Sequence, residues 1–471
     1  MYFIPESFNF LFLLSLLFLC YTTIIRVKFQ NLQLNIILII FLIYFIYVLY
    51  AFYFSYFIEF SHYTLSLELP TFCLSDFSKF LFPFVYIFIL ITLTSLIYCF
   101  SYNFSEFFNF VIYVIFIFIG GLIFFLSNSL FFFFIGYESL LIPSFLILYQ
   151  FAKTRKSVEA AYLMFFWTQF GALFLILNFQ YLFFINNSTL ILTFNTFILS
   201  NQELIFLNLT LLIGFGVKFP IWPFYEWLPK AHVEASTNFS IFLSGVLVKF
   251  AFFGYVKLML FLNNEHSLLY ITPYLIIGIV DSSLKLYYQL DLKKLVAYST
   301  VLEMHWLLLA VVSGQSFMLT AAFLMLISHA IVSANFFLLV DMITRRFKTR
   351  LISEVSGLYY LVPNLYFFGL MWIVIFLGFP GTILFLSEFL FFSFLIDFDF
   401  ATFIIIFIFT YLISASFFFK NWFNVLFNNF SFFFNFRNNN IIDLDFREIS
   451  ILLFYIIFMF GFSISFQFFI F

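Results

Sequence analysis

Long apolar runs, separated by short polar loops, cover almost the whole chain. A helix that crosses the hydrocarbon core of a membrane needs about 20 predominantly apolar residues, and these runs have about that length. Numbered as spans one to fourteen in chain order, they lie near residues 8–25, 34–58, 81–100, 108–127, 128–150, 160–184, 204–227, 239–261, 268–288, 294–313, 317–341, 360–396, 400–419 and 449–470. The pattern predicts an all-α, polytopic membrane protein of about 14 transmembrane helices.

Two of these spans are interrupted by residues that break helices. Span seven contains Pro220 and Pro223, and span twelve contains the segment Gly378-Phe379-Pro380-Gly381. Interrupted spans at corresponding places in two halves of a chain are typical of transporters built from inverted repeats. Spans four to eight and nine to thirteen are therefore predicted to form two five-helix units of opposite orientation. The predicted domains are N-terminal helices at 1–107, the two units at 108–262 and 263–420, and a loop with a last helix at 421–471.

Charges in the loops follow the parity of the spans. Loops after even-numbered spans are poor in lysine and arginine, whereas basic residues cluster after spans one, five, nine and eleven. The basic residues are Arg26, Lys28, Lys153, Arg155, Lys156, Lys293, Lys294, Arg345, Arg346, Lys348 and Arg350. Because short basic loops collect on one side of a membrane, we expect all of them on one face and both termini on the other.

Composition agrees with a protein whose solvent is mostly lipid. Of 471 residues, 65% are hydrophobic and 9% are charged, against about half and a quarter in ordinary globular domains. These values exclude a soluble fold and a disordered chain. Phenylalanine occurs 90 times, a bias that indicates an A+T-rich coding genome, of which an organelle genome is the natural candidate.

Several classes of function are excluded by what the sequence lacks. The net charge of -2 offers no basic surface for nucleic acid. Cys20, Cys73 and Cys99 form no CxxC pair and are too few to hold an iron–sulfur cluster. Neither a GxGxxG nor a GxxxxGK[ST] string occurs, so nucleotide binding is not expected. We expect no cofactor and no metal.

A few ionisable residues lie near the middle of the spans, where a charge costs roughly 2.5–3.5 kcal/mol on insertion scales. Such residues are functional candidates by default. They fall in spans five, seven, eight, eleven and twelve, and are Glu138, Lys218, Lys249, His329 and Glu388, respectively.

Each of these residues also has a structural interpretation. Glu138 and Lys218 could form a buried ion pair that only fixes packing, and His329 could simply be hydrogen-bonded to a neighbour. Asp281 and Lys285, four residues apart in span nine, are predicted to form an ordinary intrahelical pair.

A carboxylate near a buried lysine has the chemistry of a proton switch. A lysine with its ordinary pKa of about 10.4 keeps its proton near pH 7, and a shift of three units needs about 4 kcal/mol. An ion pair at about 4 Å and an effective dielectric near 20 is worth about the same. Moving Glu138 toward or away from Lys218 is therefore enough to switch the lysine, and the other candidates would extend the switch into a relay.

The strings around these candidates resemble NADH dehydrogenase subunit 4, an antiporter-like membrane subunit of respiratory complex I. The similarity covers about residues 130–395 and includes Trp227–Ala235, which is specific to that superfamily. The other matching strings are Gly136–Ser144, Gly216–Pro220, Gly245–Lys249, Asp291–Ser299 and Ile327–Ala330.

The resemblance implies a role for each candidate. Glu138 and Lys218 match the coupling pair, Lys249 the central lysine, His329 the relay histidine and Glu388 the terminal acid of a proton pathway at the membrane midplane. The chain would then be a non-redox subunit of the proton-translocating NADH:ubiquinone reductase, with electron transfer in partner subunits.

Location and partners are implied by the same resemblance. It places the chain in the mitochondrial inner membrane with the basic loops on the matrix side. Its implied partners are other membrane subunits of complex I, especially neighbouring antiporter-like subunits, together with lipids, protons and internal water.

Three positions depart from the family pattern. Tyr225 and Glu303 stand where the family usually has histidines, His305 follows Glu303 by two residues, and Glu226 is an extra acid without an assigned role. Two other functions stay open: a subunit of a multisubunit sodium/proton antiporter, and a non-pumping scaffold subunit.

Overall fold

The computed structural model describes residues 88, 90–92, 94–95, 104–152, 154–191, 200–262, 269–398, 400–428 and 442–470. Within these ranges the structure is helical and contains no strand, only two isolated bridges, Ser129–Leu190 and Asp291–Leu351. The predicted all-α class is confirmed for this part of the chain. Spans one and two lie outside the described residues, and span three is represented by a few helical positions, so the count of fourteen stays a prediction.

From span four onward the helices follow the predicted runs. Five spans are each a single helix of more than 20 residues: Phe104–Leu126 (four), Arg155–Asn186 (six), Leu292–Val312 (ten), Ser316–Phe347 (eleven) and Phe446–Ile470 (fourteen). The remaining helices in the described ranges, including short 3-10 and π-helical segments, are Leu130–Ser139 and Leu141–Gln150 (five), Asn201–Gly216, Phe224–Glu226 and Trp227–Glu234 (seven), Thr237–Phe242, Leu243–Leu247 and Val248–Phe261 (eight), Leu269–Ile271 and Thr272–Tyr287 (nine), Leu358–Leu361, Pro363–Phe376 and Ile383–Phe398 (twelve), and Phe400–Phe407, Ile408–Ala415 and Ser416–Phe427 (thirteen).

Eight helices in the described ranges are long and apolar enough to cross a membrane, and the halves of span twelve are two shorter apolar helices. The end of span thirteen corrects the sequence prediction, which assigned residues 421–447 to a loop. Ser416–Phe427 is helical, because Trp422, Val425 and Leu426 lie on one buried face at helical spacing.

Local sequence signals set the helix ends. Thr154 and Ser200 begin spans six and seven with reciprocal capping boxes, each hydrogen-bonded to the third residue of its helix. Asp291 accepts a hydrogen bond from the Lys293 backbone and begins span ten. Such caps satisfy the backbone N–H groups that the first turn of a helix leaves free.

Both predicted interruptions are present. Span seven stops at Gly216 and resumes at Trp227, across a segment in which Pro220 and Pro223 have no N–H to continue the helix. Span twelve is interrupted at Gly378 and Gly381, whose φ angles of 75° and 92° lie in the left-handed region that favours glycine. Each interruption leaves two helix ends inside the protein.

Spans eight and thirteen each contain a π-helical segment, Leu243–Leu247 and Ile408–Ala415. These spans are the fifth helices of the two predicted units, just as the interrupted spans are the fourth. The inverted repeat itself stays a prediction.

Loops after odd-numbered spans contact one another. Arg350, after span eleven, forms an ion pair of 2.7 Å with Asp291, which precedes span ten. The same arginine donates to the Val233 carbonyl oxygen at 2.9 Å, and the Lys293 ammonium donates to the Ala235 carbonyl at 3.1 Å. The loops that follow spans seven, nine and eleven therefore share one face.

Loops after even-numbered spans meet on another face. The Leu130 N–H donates to Thr189 and the Ile191 N–H to Asn128, both at 2.9 Å. These contacts join the loop after span four to the loop after span six. Together the two sets of contacts agree with the parity that the basic residues predict.

Burial separates inner spans from outer ones. A stretch of 18 residues within Thr237–Leu260 and another within Phe317–Phe347 are entirely buried inside the protein, and a stretch within Leu292–Val312 is nearly so. Spans six and thirteen expose apolar side chains such as Phe166, Phe184 and Leu412, as expected for helices that face lipid or another subunit. The most enclosed helices are therefore those that carry Lys249, Glu303 and His329.

Candidate functional site

Glu138 lies near the end of the helix Leu130–Ser139 and is partly buried. Its Oε2 accepts a hydrogen bond of 2.9 Å from Nε2 of Gln169 in span six. Its other oxygen, Oε1, is buried and has no hydrogen-bond partner among the described residues. One oxygen of the carboxylate is thus held by a neighbour while the other is available for a new contact.

Lys218 lies within the interruption of span seven and is buried. Its Nζ donates a hydrogen bond of 2.9 Å to the carbonyl oxygen of Tyr137 and lies 3.8 Å from the centre of the Tyr137 ring. The Tyr137 hydroxyl donates to the Gly214 carbonyl at 3.1 Å. These contacts hold the lysine by a carbonyl dipole and a cation–π interaction. Among the described residues no ion pair within 4.0 Å joins Lys218 to Glu138, so the predicted pair is adjacent in the fold and not in direct contact.

A small cavity lies beside Lys218. Polar side chains of Ser144 and Thr168 line it, together with Leu243 and Val248 of span eight. Its volume of about 10 Å³ is near the minimum that holds one water molecule. The cavity lies between Lys218 and the turn of span eight that leads to Lys249.

Lys249 is the second residue after the π-helical segment of span eight and has no exposed surface. Its Nζ donates to the carbonyl oxygen of Ser244, five residues earlier. A π-helical turn changes the backbone hydrogen-bond register and is frequent at functional sites. The segment therefore supplies a carbonyl acceptor for this buried lysine.

His329 faces Glu303, which sequence reasoning left unassigned. The imidazole Nε2 lies 3.2 Å from the Glu303 Oε2, and both side chains are buried, with 2% and 9% of their surfaces exposed. The two atoms are at ion-pair distance but are not aligned as a hydrogen bond, and Nδ1 of His329 has no partner among the described residues. Glu303 also interacts electrostatically with Lys249 and Glu388. Glu303 thus interacts with three of the five predicted residues, in contact with His329 and electrostatically with the other two.

Glu388 lies in the second half of span twelve, just past the interruption. Its Oε2 accepts a hydrogen bond from the hydroxyl of Tyr411, which belongs to the π-helical segment of span thirteen. A Cβ at Gly378 would lie 2.5 Å from the same carboxylate oxygen. The glycine therefore provides both the left-handed turn and the space that the carboxylate occupies.

No hydrogen bond or ion pair joins any two of the five predicted residues in the described structure. Each instead contacts an intermediate group of the protein. The intermediates are Gln169 for Glu138, Tyr137 for Lys218, Ser244 for Lys249, Glu303 for His329 and Tyr411 for Glu388.

The predicted pair in span nine is confirmed and belongs to a larger cluster. Lys285 lies 3.0 Å from Asp281, 3.7 Å from Glu226 and 2.5 Å from the Tyr225 hydroxyl. That hydroxyl also donates to Asp281. Tyr225 and Glu226 thus help to bind a half-exposed lysine.

His305 is fixed by two hydrogen bonds. Its Nε2 accepts from the Trp222 backbone N–H and its Nδ1 lies within hydrogen-bond distance of the Val301 carbonyl, both at 2.8 Å. Because Nε2 accepts, Nδ1 carries the proton and donates. His305 therefore anchors the interruption of span seven, whereas Glu303 faces His329.

Sequence reasoning missed Gln169, Glu303 and Tyr411 as parts of the site. Gln169 and Tyr411 are uncharged, and a search for charges at mid-depth passes over them. A search for any polar side chain in the middle of an apolar run finds Gln169 directly. Glu303 was visible as a departure from the family, and only its contacts reveal what it faces.

Comparison with known proteins gives a consistent set of relatives. The family model described as "NADH:quinone oxidoreductase/Mrp antiporter, TM" matches residues 127–414. The NADH-ubiquinone oxidoreductase chain 4 of Paramecium tetraurelia is 37% identical over 295 residues, which are 63% of this chain and 62% of that protein. The NADH-quinone oxidoreductase subunit M of Rickettsia felis is 32% identical over 56% of this chain and 55% of that protein. The chain thus spans about three fifths of the length of these curated relatives.

Two solved structures share the fold. A chain of respiratory complex I from Thermus thermophilus matches with a TM-score of 0.70 and 19% identity, covering 82% of this chain and 81% of that one. A chain of the Mrp complex from a Dietzia species matches with the same TM-score and coverage at 15% identity. At these identities the likeness concerns the fold.

Proposed function

The chain belongs to the NADH:quinone oxidoreductase/Mrp antiporter transmembrane family, and we propose that it is a proton-translocating, antiporter-like subunit of respiratory complex I. In this proposal NADH oxidation and quinone reduction take place in partner subunits. The chain itself transfers protons between the two sides of the mitochondrial inner membrane, with its basic loops on the matrix side. Neighbouring antiporter-like subunits, lipids and internal water are its partners.

One observation carries the proposal: ionisable groups that are buried or partly buried lie in five separate spans, and two of these spans, eight and eleven, are among the most enclosed helices of the fold. Isolated charges in a membrane are costly and mark proton or ion pathways. Glu138, Lys218, Lys249, His329 and Glu388 are the proposed members, in five separate spans. Two of these spans are interrupted, and interrupted helices mark the binding sites of transporters built from repeats.

The contacts of Glu138 and Lys218 support a switch at one end of this row. Glu138 is held by Gln169 through one oxygen, and its second oxygen is free to accept from Lys218. When the carboxylate turns toward the lysine, the ammonium form is stabilised. When it turns back, the lysine proton can pass to a water in the adjoining cavity and on toward Lys249.

A second candidate is a subunit of a multisubunit sodium/proton antiporter. The family model includes such proteins, and the Mrp chain matches with the same TM-score as the complex I chain. The curated relatives named chain 4 and the composition typical of an organelle genome favour complex I. A non-pumping scaffold is the third candidate, in which the buried charges only specify packing.

Purification of the native assembly separates the first two candidates. Co-migration with NADH-oxidising and quinone-reducing subunits supports complex I, whereas co-migration with antiporter subunits alone rejects it.

Replacement of Lys249 tests the pumping role. In the assembled complex reconstituted into vesicles, Lys249→Ala should lower proton pumping and NADH turnover together while the complex stays intact. The matched control is Lys230→Ala, at an exposed position of span seven, which should behave as the wild type. Undiminished pumping by Lys249→Ala contradicts the relay, and loss of assembly without a pumping defect in the remaining complex favours the scaffold.

A further inference from the structure

In both groups of five spans, a glutamate of the second helix lies against a polar side chain of the third helix. In spans five and six these residues are Glu138 and Gln169, whose nearest side-chain atoms are 2.9 Å apart. In spans ten and eleven they are Glu303 and His329, at 3.2 Å. The fourth helix of each group is interrupted beside another ionisable residue. Glu303 therefore occupies in the second group the place that Glu138 occupies in the first.

The surroundings of Glu303 differ from those of Glu138 in one chemical respect. Glutamine only donates or accepts hydrogen bonds, whereas the histidine that faces Glu303 also binds and releases protons. Lys249 and Glu388 also act on Glu303 electrostatically, and Glu303 acts on Tyr411. The titratable groups that interact with Glu303 are thus a lysine from span eight, a histidine from span eleven, a carboxylate from span twelve and a tyrosine from span thirteen.

A structural role alone does not account for this placement. Glu303 is buried, and its Oε2 has no aligned hydrogen-bond donor in the described part of the chain. A carboxylate that serves only packing is normally satisfied by several donors, because an unpaired buried charge is costly. A buried carboxylate that has one oxygen without a hydrogen bond, 3.2 Å from an imidazole that can itself bind a proton, is suited to change its protonation state.

We propose that Glu303 is a proton-carrying residue of the pathway, transferring protons between Lys249 and Glu388 with His329 as its partner. This inference rests on the proposed function. One proton moves in each step: the Lys249 ammonium becomes a neutral amine as the Glu303 carboxylate becomes a neutral acid, and Glu303 then returns to a carboxylate as Glu388 is protonated. His329, whose Nε2 lies 3.2 Å from the Glu303 oxygen, compensates the charge of the ionised carboxylate when the imidazole is protonated.

The test uses the assembled complex in vesicles, with proton pumping and NADH turnover measured across pH. Glu303→Gln keeps the size and hydrogen-bonding capacity of the side chain but cannot carry a proton. It should lower coupled turnover by about tenfold or more, which is about 1.4 kcal/mol or more in barrier height. Glu159→Gln, in an exposed ion pair with Arg155, is the matched control and should retain full activity.

The pH profile of Glu303→His is a measurement that a purely structural role of Glu303 would leave unchanged. Histidine can carry a proton, and its ordinary pKa is about two units above that of glutamate. We expect this variant to pump, with a pH profile displaced from that of the wild type. Where Glu303→Gln fails to assemble, the pH profile of Glu303→His decides alone.

Three results would overturn the inference: full pumping by Glu303→Gln, equal loss in the glutamine and histidine variants, or an unshifted pH profile in an active Glu303→His. Lys249→Ala, measured in parallel, tells the two proposals apart. If it stops pumping while Glu303→Gln does not, only the role of Glu303 is wrong. If neither variant affects pumping, the proposed function is wrong as well.

Discussion

Gln169 donates a hydrogen bond of 2.9 Å from its Nε2 to Oε2 of Glu138. The Glu138 carboxylate is therefore held by a residue of span six, although the sequence predicts that its partner is Lys218 in span seven. Lys218 in turn is bound to the backbone of Tyr137, the residue before Glu138. The carboxylate and the ammonium are adjacent but separately held, which is the arrangement a switch needs in one of its two positions.

Gln169→Leu tests this relationship. It removes the donor and leaves both oxygens of Glu138 without a partner in the described structure. Because a hydrogen bond to a charged group contributes about 1.5–3 kcal/mol, we expect coupled turnover to fall by about tenfold or more in an assembled complex. The control is Gln202→Leu, the same change at an exposed position. Normal coupling in Gln169→Leu would show that the glutamine does not position Glu138.

Tyr411→Phe tests the contact of Glu388, the last of the five proposed pathway residues. The change removes the hydroxyl that donates to Glu388 but keeps the ring, which packs against Phe392 with a centroid separation of 5.3 Å and Phe407 at 5.4 Å. Assembly and thermal stability should therefore stay close to wild type, while coupled turnover falls by several-fold, up to about tenfold. Vesicle pumping assays and thermal scans separate the two quantities. A stability loss without a pumping loss would assign Tyr411 a packing role only.

Most of the fold could be predicted from the sequence, because helix length and the spacing of breakers are local properties. Pro220 and Gly378 each mark an interruption that is present in the structure. The end of span thirteen was missed, since Trp422 and Val425 lie in an Asn- and Phe-rich stretch with little apparent pattern. Its helix depends on burial against the rest of the protein.

The site was less predictable than the fold. Mid-depth charges are recognisable one at a time, but which groups they face depends on how distant helices pack. No local sequence signal indicates that His329 of span eleven faces Glu303 of span ten, or that Lys218 binds the Tyr137 carbonyl. The sequence shows that position 303 carries an unexpected acid, but only the residues around it in the structure indicate what this acid does.

Gly378→Ala tests the interruption of span twelve. At φ 75° an alanine is strained, by about 1–3 kcal/mol, and its Cβ would approach Glu388 Oε2 to 2.5 Å. We expect lower thermal stability and impaired pumping together. The control is Gly369→Ala in the same span, where the helix is regular and the new Cβ meets only the end of the Leu426 side chain at 3.3 Å. Equal effects of the two substitutions would contradict the special role of Gly378.

Arg346→Gln tests how the last helix is attached. Arg346 ends span eleven and forms an ion pair of 2.6 Å with Glu448 at the start of span fourteen, with only 11% and 4% of the two side chains exposed. It also donates to the carbonyl oxygens of Ile442 and Asp443 at 2.9 and 3.0 Å. Breaking such a buried pair leaves an uncompensated charge and costs about 3–5 kcal/mol.

We therefore expect Arg346→Gln to lower the thermal stability of the assembled complex strongly. The matched control, Arg155→Gln, breaks a pair whose side chains are 94% and 59% exposed, and solvent screening makes such pairs contribute little. Adding Glu448→Gln to Arg346→Gln removes the orphaned charge, so the double variant should recover part of the lost stability. If Arg346→Gln proves as mild as Arg155→Gln, neither the ion pair nor the two carbonyl contacts of Arg346 hold span fourteen in place.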